Sequence, residues 1–118
     1  MRQSTLLRRR ALFDEALAAI ERGYADADIS LGSVARSIAT SRRQLQRVFG
    51  EQETSFRREL QRVRMTRAAE LLQGGALPVA TVARAVGYRQ PAQFSKAFRR
   101  HHGHPPSALR GTTRSLAA

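Results

Sequence analysis

The hydrophobic pattern changes face partway along one stretch, Thr54–Gln73, and the rest of the chain is arranged around that change. At 100° per residue on a helix, Phe56, Leu60 and Val63 fall on one side, whereas Met65, Ala68, Ala69 and Leu72 fall roughly opposite. A helix packed on a single core keeps a single stripe. Two successive stripes predict a connector whose first half serves one small module and whose second half serves another; a long surface helix of one bundle is the alternative. Thr54 or Ser55 can cap the start through a hydroxyl that accepts from the free N–H groups of the first turn, and Gly74-Gly75 ends the helix by permitting a left-handed backbone. At roughly 1.5 Å per residue the connector would be about 30 Å long. The expected organisation is a first subdomain over residues 1–53, the connector over 54–73, a second subdomain over 74–111 and a disordered tail over 112–118.

On either side of the connector the pattern repeats. Residues 1–7 read as a frayed terminus, and Arg8–Arg22 as an amphipathic helix with Leu12, Ala16, Ala19 and Ile20 on its inner face and Gly23 as its stop. In the loop that follows, Asp26 and Asp28 read as solvated loop carboxylates rather than as an acid pair. Ser30 is placed to cap a helix over Leu31–Ile38, and Ser41 a second over Arg42–Glu51. Leu31, Val34, Ala35 and Ile38 point one way in the first; Leu45, Val48 and Phe49 do so in the second, which leaves Arg42, Arg43, Gln46 and Arg47 outward. Two short helices joined by a tight turn, the second opening on a Ser cap, form the helix-turn-helix pattern. Val34-Ala35-Arg36-Ser37-Ile38 recurs as Val82-Ala83-Arg84-Ala85-Val86, 48 residues later, and Leu45 with Phe49 recurs as Phe94 with Phe98, 49 residues later. The chain is thus an internal duplication. In the second copy Gly87 takes the turn, Pro91 suits the first turn of the next helix, and Phe94, Ala97 and Phe98 face inward. Ala92, Gln93, Lys96, Arg99 and Arg100 lie outward or at the edge, and Pro105-Pro106-Ser107 opens a last short helix through Arg110. The fold class expected is all-α, two helix-turn-helix subdomains and a connecting helix, about seven helices in all.

Charge adds a partner to this picture. The net charge is +12, all nine acidic residues lie at or before Glu70, and the chain from Leu71 onward carries seven Arg and Lys and three His. Such a balance draws a protein to polyanions, nucleic acid first and an anionic membrane second. No cysteine is present, which excludes disulfides, thiolate metal sites and cysteine nucleophiles. No apolar run approaches the roughly 18 residues of a membrane span and no signal-peptide core follows the first arginines, so a cytoplasmic protein is expected. His101, His102 and His104 cannot all face one ion from a helix, and no metal or other cofactor is expected. Neither paired carboxylates nor a nucleophile with a base stands in a pocket-forming pattern, so the chain does not read as an enzyme.

Two helix-turn-helix copies with Val82-Ala83-Arg84-Ala85-Val86-Gly87-Tyr88, Phe94-Ser95-Lys96-Ala97-Phe98 and Gly103-His104-Pro105-Pro106-Ser107-Ala108-Leu109-Arg110 resemble the DNA-binding domain of AraC/XylS transcription regulators. Ala35–Ser41, Leu45-Gln46-Arg47, Phe49 and Arg64-Met65-Thr66-Arg67-Ala68 extend the resemblance over about residues 8–111. It implies that the two second helices enter successive major-groove segments on one side of a duplex. The positions implied to contact bases are Arg43, Gln46 and Arg47 in the first copy, and Pro91, Ala92, Gln93, Ser95 and Lys96 in the second. Pro91 and Ala92 cannot donate through a side chain, which turns the second copy toward thymine methyls, shape or phosphate. Ser41, Arg42, Arg89, Arg99 and Arg100 are expected to contact phosphates. The sequence departs from the family at Ala39, where a turn Gly is usual, at Leu109, which replaces an aromatic, and before Thr54, where a Gly is missing and the spacing is one residue short. The chain reads as a stand-alone member or an excised domain that binds double-stranded DNA as a monomer, with RNA polymerase a further candidate partner. A structural protein that packages DNA without sequence preference is the rival reading.

Overall fold

A computed structural model describes residues 2–109 of the chain, and the side chains from residue 5 onward. Among the described residues all regular structure is helical: α1 Arg2–Gly23, α2 Leu31–Ser37, α3 Arg42–Glu51, α4 Phe56–Gln73, α5 Val79–Ala85, α6 Pro91–His102 and a final helical turn, α7, over residues 106–109. The expected tail and Arg110 lie outside the described residues.

One expectation is corrected. Residues 2–7, read as frayed, continue α1 upstream. Gln, Leu and Arg are good helix formers, and nothing in Gln3–Leu7 breaks the run. Leu6 and Leu7 stay 61% and 65% exposed, so propensity rather than burial carries this extension.

The chain divides into two compact units: Met1–Gly23 with Asp28–Gln61, and Tyr24–Ala27 with the chain from Arg62 on. The division falls inside α4, between Gln61 and Arg62, not at its ends. In the first unit α1 packs on α2 and α3. Phe13, Ala16 and Ile20 of α1, Val34 and Ala35 of α2, Leu45, Val48 and Phe49 of α3 and Leu60 of α4 are buried. Phe49 is central there, edge-on to Phe13 at 5.6 Å and to Phe56 at 6.4 Å. The second unit closes on Met65, Ala68 and Leu72 of α4, Val82 and Ala83 of α5, Val86, and Phe94, Ala97 and Phe98 of α6. The change of stripe read along Thr54–Gln73 is therefore real for Met65, Ala68 and Leu72, which enter this second core.

Capping fixes where the helices start. Ser30 accepts from the Ser33 N–H while the Ser33 hydroxyl oxygen accepts from the Ser30 N–H, a reciprocal box on α2. Ser41 accepts from the Gln44 N–H, and of the two candidates at α4 Ser55 is the cap, accepting from the Arg58 N–H at 3.1 Å.

Three helix exits share one device. After α2 the N–H groups of Ala39 and Thr40 return to the carbonyls of Arg36 and Ala35; after α3 those of Glu53 and Thr54 return to Gly50 and Phe49; after α5 those of Gly87 and Tyr88 return to Arg84 and Ala83. Each needs a left-handed residue, and these are Ala39 at φ 57°, Glu53 at φ 57° and Gly87 at φ 99°. Glu53 therefore does the work of the missing Gly before Thr54. Ala39, which stands where the family usually has a turn Gly, is left-handed at a cost of about 1 kcal/mol or more, and of the three exits only the third is relieved by glycine.

Gly87 has a second reason to be glycine. A Cβ there would stand 2.6 Å from the Tyr24 carbonyl oxygen and 2.7 Å from a terminal nitrogen of Arg64. Gly87→Ala is expected to cost more than about 2 kcal/mol, because the left-handed penalty and the collision add. Ala39→Gly should move the other way by up to about 1 kcal/mol, relief of strain exceeding the added chain entropy. Thermal melts check both, and a Gly87→Ala protein with an unchanged Tm would refute the account.

Candidate nucleic-acid interface

On α3 the buried triplet Leu45, Val48 and Phe49 sets the rotation of the helix, and the Ser41 cap sets where it begins. What remains outward follows from spacing. Arg42, Gln46, Arg43 and Arg47 spread over an arc of about 140° at 100° per residue, and all four are exposed. The Arg42 stem lies over the buried Gly32, its Cδ 3.4 Å from where a Cβ would sit there. Ser41 is exposed and uses its oxygen as a cap acceptor, which leaves its O–H able to donate. The acid of α3, Glu51, accepts from Arg9 at 2.9 Å, and Gln52 accepts from Arg10 at 3.2 Å. The four outward side chains therefore share their arc with no carboxylate.

In the second unit α6 opens at Gln90 with no side-chain cap and with Pro91 in its first turn. It ends at Gly103, left-handed at φ 82°, whose N–H returns to the Arg99 carbonyl. Phe94, Ala97 and Phe98 are buried. Pro91, Ala92, Gln93, Lys96, Arg99 and Arg100 are exposed, Arg89 is exposed just before the helix, and Ser95 is half-buried. The predicted base readers of this helix do not gather as those of α3 do. Ser95 and Gln93 stand at opposite edges of the exposed arc, about 160° apart by helical spacing, with Lys96 between them. The first cation of α6 is Lys96, its sixth residue, whereas those of α3 begin at its first residue.

His102 and His104 pack against Phe98. His102 rests its ring 4.4 Å from that of Phe98 and sets Nε2 3.1 Å from the Met65 carbonyl oxygen. His101 is held below the usual imidazole range, first by desolvation, then by His102 and Arg62. A lowered value means that the neutral ring favours the fold. That contribution is present above the ordinary imidazole range and is lost as pH falls through the lowered value, and exposure keeps it small.

Sequence reasoning missed Arg64, quoted before only as part of a motif. Its guanidinium donates to the Tyr24 carbonyl at 2.9 Å and the Asp26 carbonyl at 3.1 Å, and its carbon lies 5.4 Å from the centre of the Tyr88 ring. Burial lowers its pKa, while Tyr88 and Asp26 oppose the shift. The available signal was its place between Val63 and Met65, both buried, which puts the intervening residue at the flank of a core. Arg64→Ala is expected to cost about 1.5–3 kcal/mol, the range for hydrogen bonds to a charged group. It should leave the α3 face intact. A denaturation midpoint equal to wild type would refute this role.

Comparison with known proteins places the chain. The sequence profile of the helix-turn-helix domain family matches residues 34–112. The chain is 33% identical over 91 residues to the transcriptional activator NphR of Rhodococcus sp, covering 77% of this chain and 27% of that protein. It is 37% identical over 79 residues to the HTH-type transcriptional regulator GlxA of Rhizobium meliloti (strain 1021), covering 66% and 24%. The chain thus matches only about a quarter of the length of these curated relatives. Among solved structures, the C-terminal domain of AraT, a response regulator from Geobacillus stearothermophilus, superposes with a TM-score of 0.80 at 35% identity, covering 85% of this chain and 84% of that one. A transcriptional regulator from Chromobacterium violaceum, described as containing an AraC-type DNA-binding domain, superposes at 0.81 with 26% identity, covering 88% and 93%.

Proposed function

The chain belongs to the AraC-type family of helix-turn-helix transcription regulators, not to a family of enzymes, and from that premise we propose that it binds double-stranded DNA sequence-specifically as a cytoplasmic monomer. The observation that carries this reading is the α3 face: four long donors, Arg42, Arg43, Gln46 and Arg47, all exposed, fixed in rotation by a buried triplet and free of any carboxylate on their arc. No helix among the described residues is long and apolar enough to cross a membrane.

In this reading α3 lies in the major groove. Arg43 and Arg47 donate to guanine edges, Gln46 to adenine, and Ser41 and Arg42 hold phosphates. The second recognition helix, α6, enters the next groove segment, with Gln93, Ser95 and Lys96 toward base edges and Arg89, Arg99 and Arg100 on phosphates. Each unit offers such a helix on a buried aromatic base, Phe49 in one and Phe94 with Phe98 in the other, which supports two-part reading.

Selection of bound sequences from a random DNA pool tests specificity, and an enriched site with a specificity ratio of about 1000 or more is expected. Equal affinity for all sequences would favour the packaging reading. With six or more phosphate contacts, affinity should fall about 1000-fold between 50 and 200 mM salt. Arg47→Ala and Gln46→Ala should relax base preference over one part of the site by about 1–3 kcal/mol, whereas Arg99→Ala weakens every sequence alike. Inserting 5 base pairs into the middle of the site should abolish two-part binding, because it turns the second groove by about half a helical turn.

A further inference from the structure

In the first unit α3 also borders a cleft that the reading above does not use. It encloses about 430 Å³, with Leu31, Phe49 and Phe56 as its apolar wall, Gln46 and Gly50 of α3 on one side and Arg57 of α4 on the other. No acidic residue lines it. Gly50 is the informative member. It sits exposed within a helix, where alanine would be favoured, and a Cβ built on it meets nothing within 4 Å. Packing therefore does not demand this glycine, and its bareness leaves the cleft open along α3. The nearby polar groups of the α4 start are turned to their own helix: the Thr54 hydroxyl donates to Glu59 at 2.7 Å, and the Ser55 oxygen accepts from the Arg58 N–H. Arg57 remains, exposed, at the rim.

We propose that this cleft holds one sugar-phosphate segment of the DNA strand bordering the groove that α3 reads, with Arg57 on the phosphate and the deoxyribose against the half-buried Leu31 and Phe56. The proposal rests on the α3 reading above and extends it. Gln46 belongs both to the outward face and to the cleft, so a duplex seated on that face passes beside the opening. Charge selects the occupant. Arg57 is the charged group of the lining, in a chain of net charge +12. A nucleotide strand offers what the lining asks for, an anionic phosphate next to an apolar sugar face. Specificity is then shared between base edges on α3 and a fixed backbone position set from α4.

The test uses the whole chain and its selected DNA site. Gly50→Leu adds bulk at the cleft from a position whose Cβ meets no protein atom within 4 Å; its Tm should equal or exceed that of wild type, while affinity for specific and random DNA falls at least about 10-fold. Arg57→Ala should weaken both about 10-fold and lower the slope of log affinity against log salt by about 0.9, with base preference unchanged; Arg57→Lys should restore the slope. Wild-type affinity and slope in both Gly50→Leu and Arg57→Ala, together with relaxed base preference in Arg47→Ala, would overturn the proposal and leave the α3 reading standing. Unchanged preference in Arg47→Ala would overturn the α3 reading and this proposal with it. Benzoate that lowers DNA affinity of the wild type but not of Gly50→Leu, where both proteins bind DNA equally without it, would make the cleft a small-carboxylate site and overturn the strand assignment.

Discussion

The second unit is built around one guanidinium. Arg64 leaves α4 between two buried residues and is received by two loop carbonyls, Tyr24 and Asp26, and by the face of Tyr88. Gly87 must be bare for it to pass. The cation is partly buried, and two loop carbonyl dipoles, the Tyr88 side chain and the nearby charge of Asp26 offset the loss of solvent. Loop 24–27, the middle of α4 and the turn between α5 and α6 are thereby tied at one point, and the aromatic layer of Phe94 and Phe98 packs beyond it. The outward face of α6 takes its orientation from that layer.

The duplication shows how one device tolerates different residues. Both copies leave their first helix by the same pair of returning hydrogen bonds, yet one uses Ala39 and the other Gly87. The second turn is also one residue longer, since Ile38 is followed three positions later by the cap Ser41, whereas Val86 is followed four positions later by Gln90. The extra residue is Arg89, which accounts for the offset of 48 residues before the turn and 49 after it.

The helices, their caps and the inner faces of α3 and α6 were legible because spacing, Ser caps and helix-ending glycines act locally. The turn at Ala39 was legible too, as a departure from the family's usual glycine. The role of Glu53 was not, because a left-handed glutamate has no propensity signal and is recognised only by where the N–H groups of Glu53 and Thr54 go. Arg64 was hidden among 20 arginines, since composition cannot tell a cation facing solvent from one facing carbonyls 40 and 38 residues away. The start of α1 was misjudged for a related reason: exposed Leu6 and Leu7 carry no burial signal, and helix formers alone continue the helix. On the interface, the α3 arc could be drawn from the sequence, but the half-burial of Ser95 and the place of Gly50 in a cleft are three-dimensional facts.

The left-handed residues of the first unit also bear on how the protein can evolve. Ala39 and Glu53 each hold a conformation that glycine would adopt at less cost, and neither lies on the outward arc of α3. A lineage that alters Arg43, Gln46 or Arg47 to read a new site, and loses stability in doing so, has two nearby positions at which one glycine recovers it without changing what is read. The second unit has no such recourse at Gly87, where glycine is already in place and Arg64 forbids anything larger. Mutational headroom is therefore uneven across the repeat, and new binding specificities should arise more readily in the copy that still carries strain.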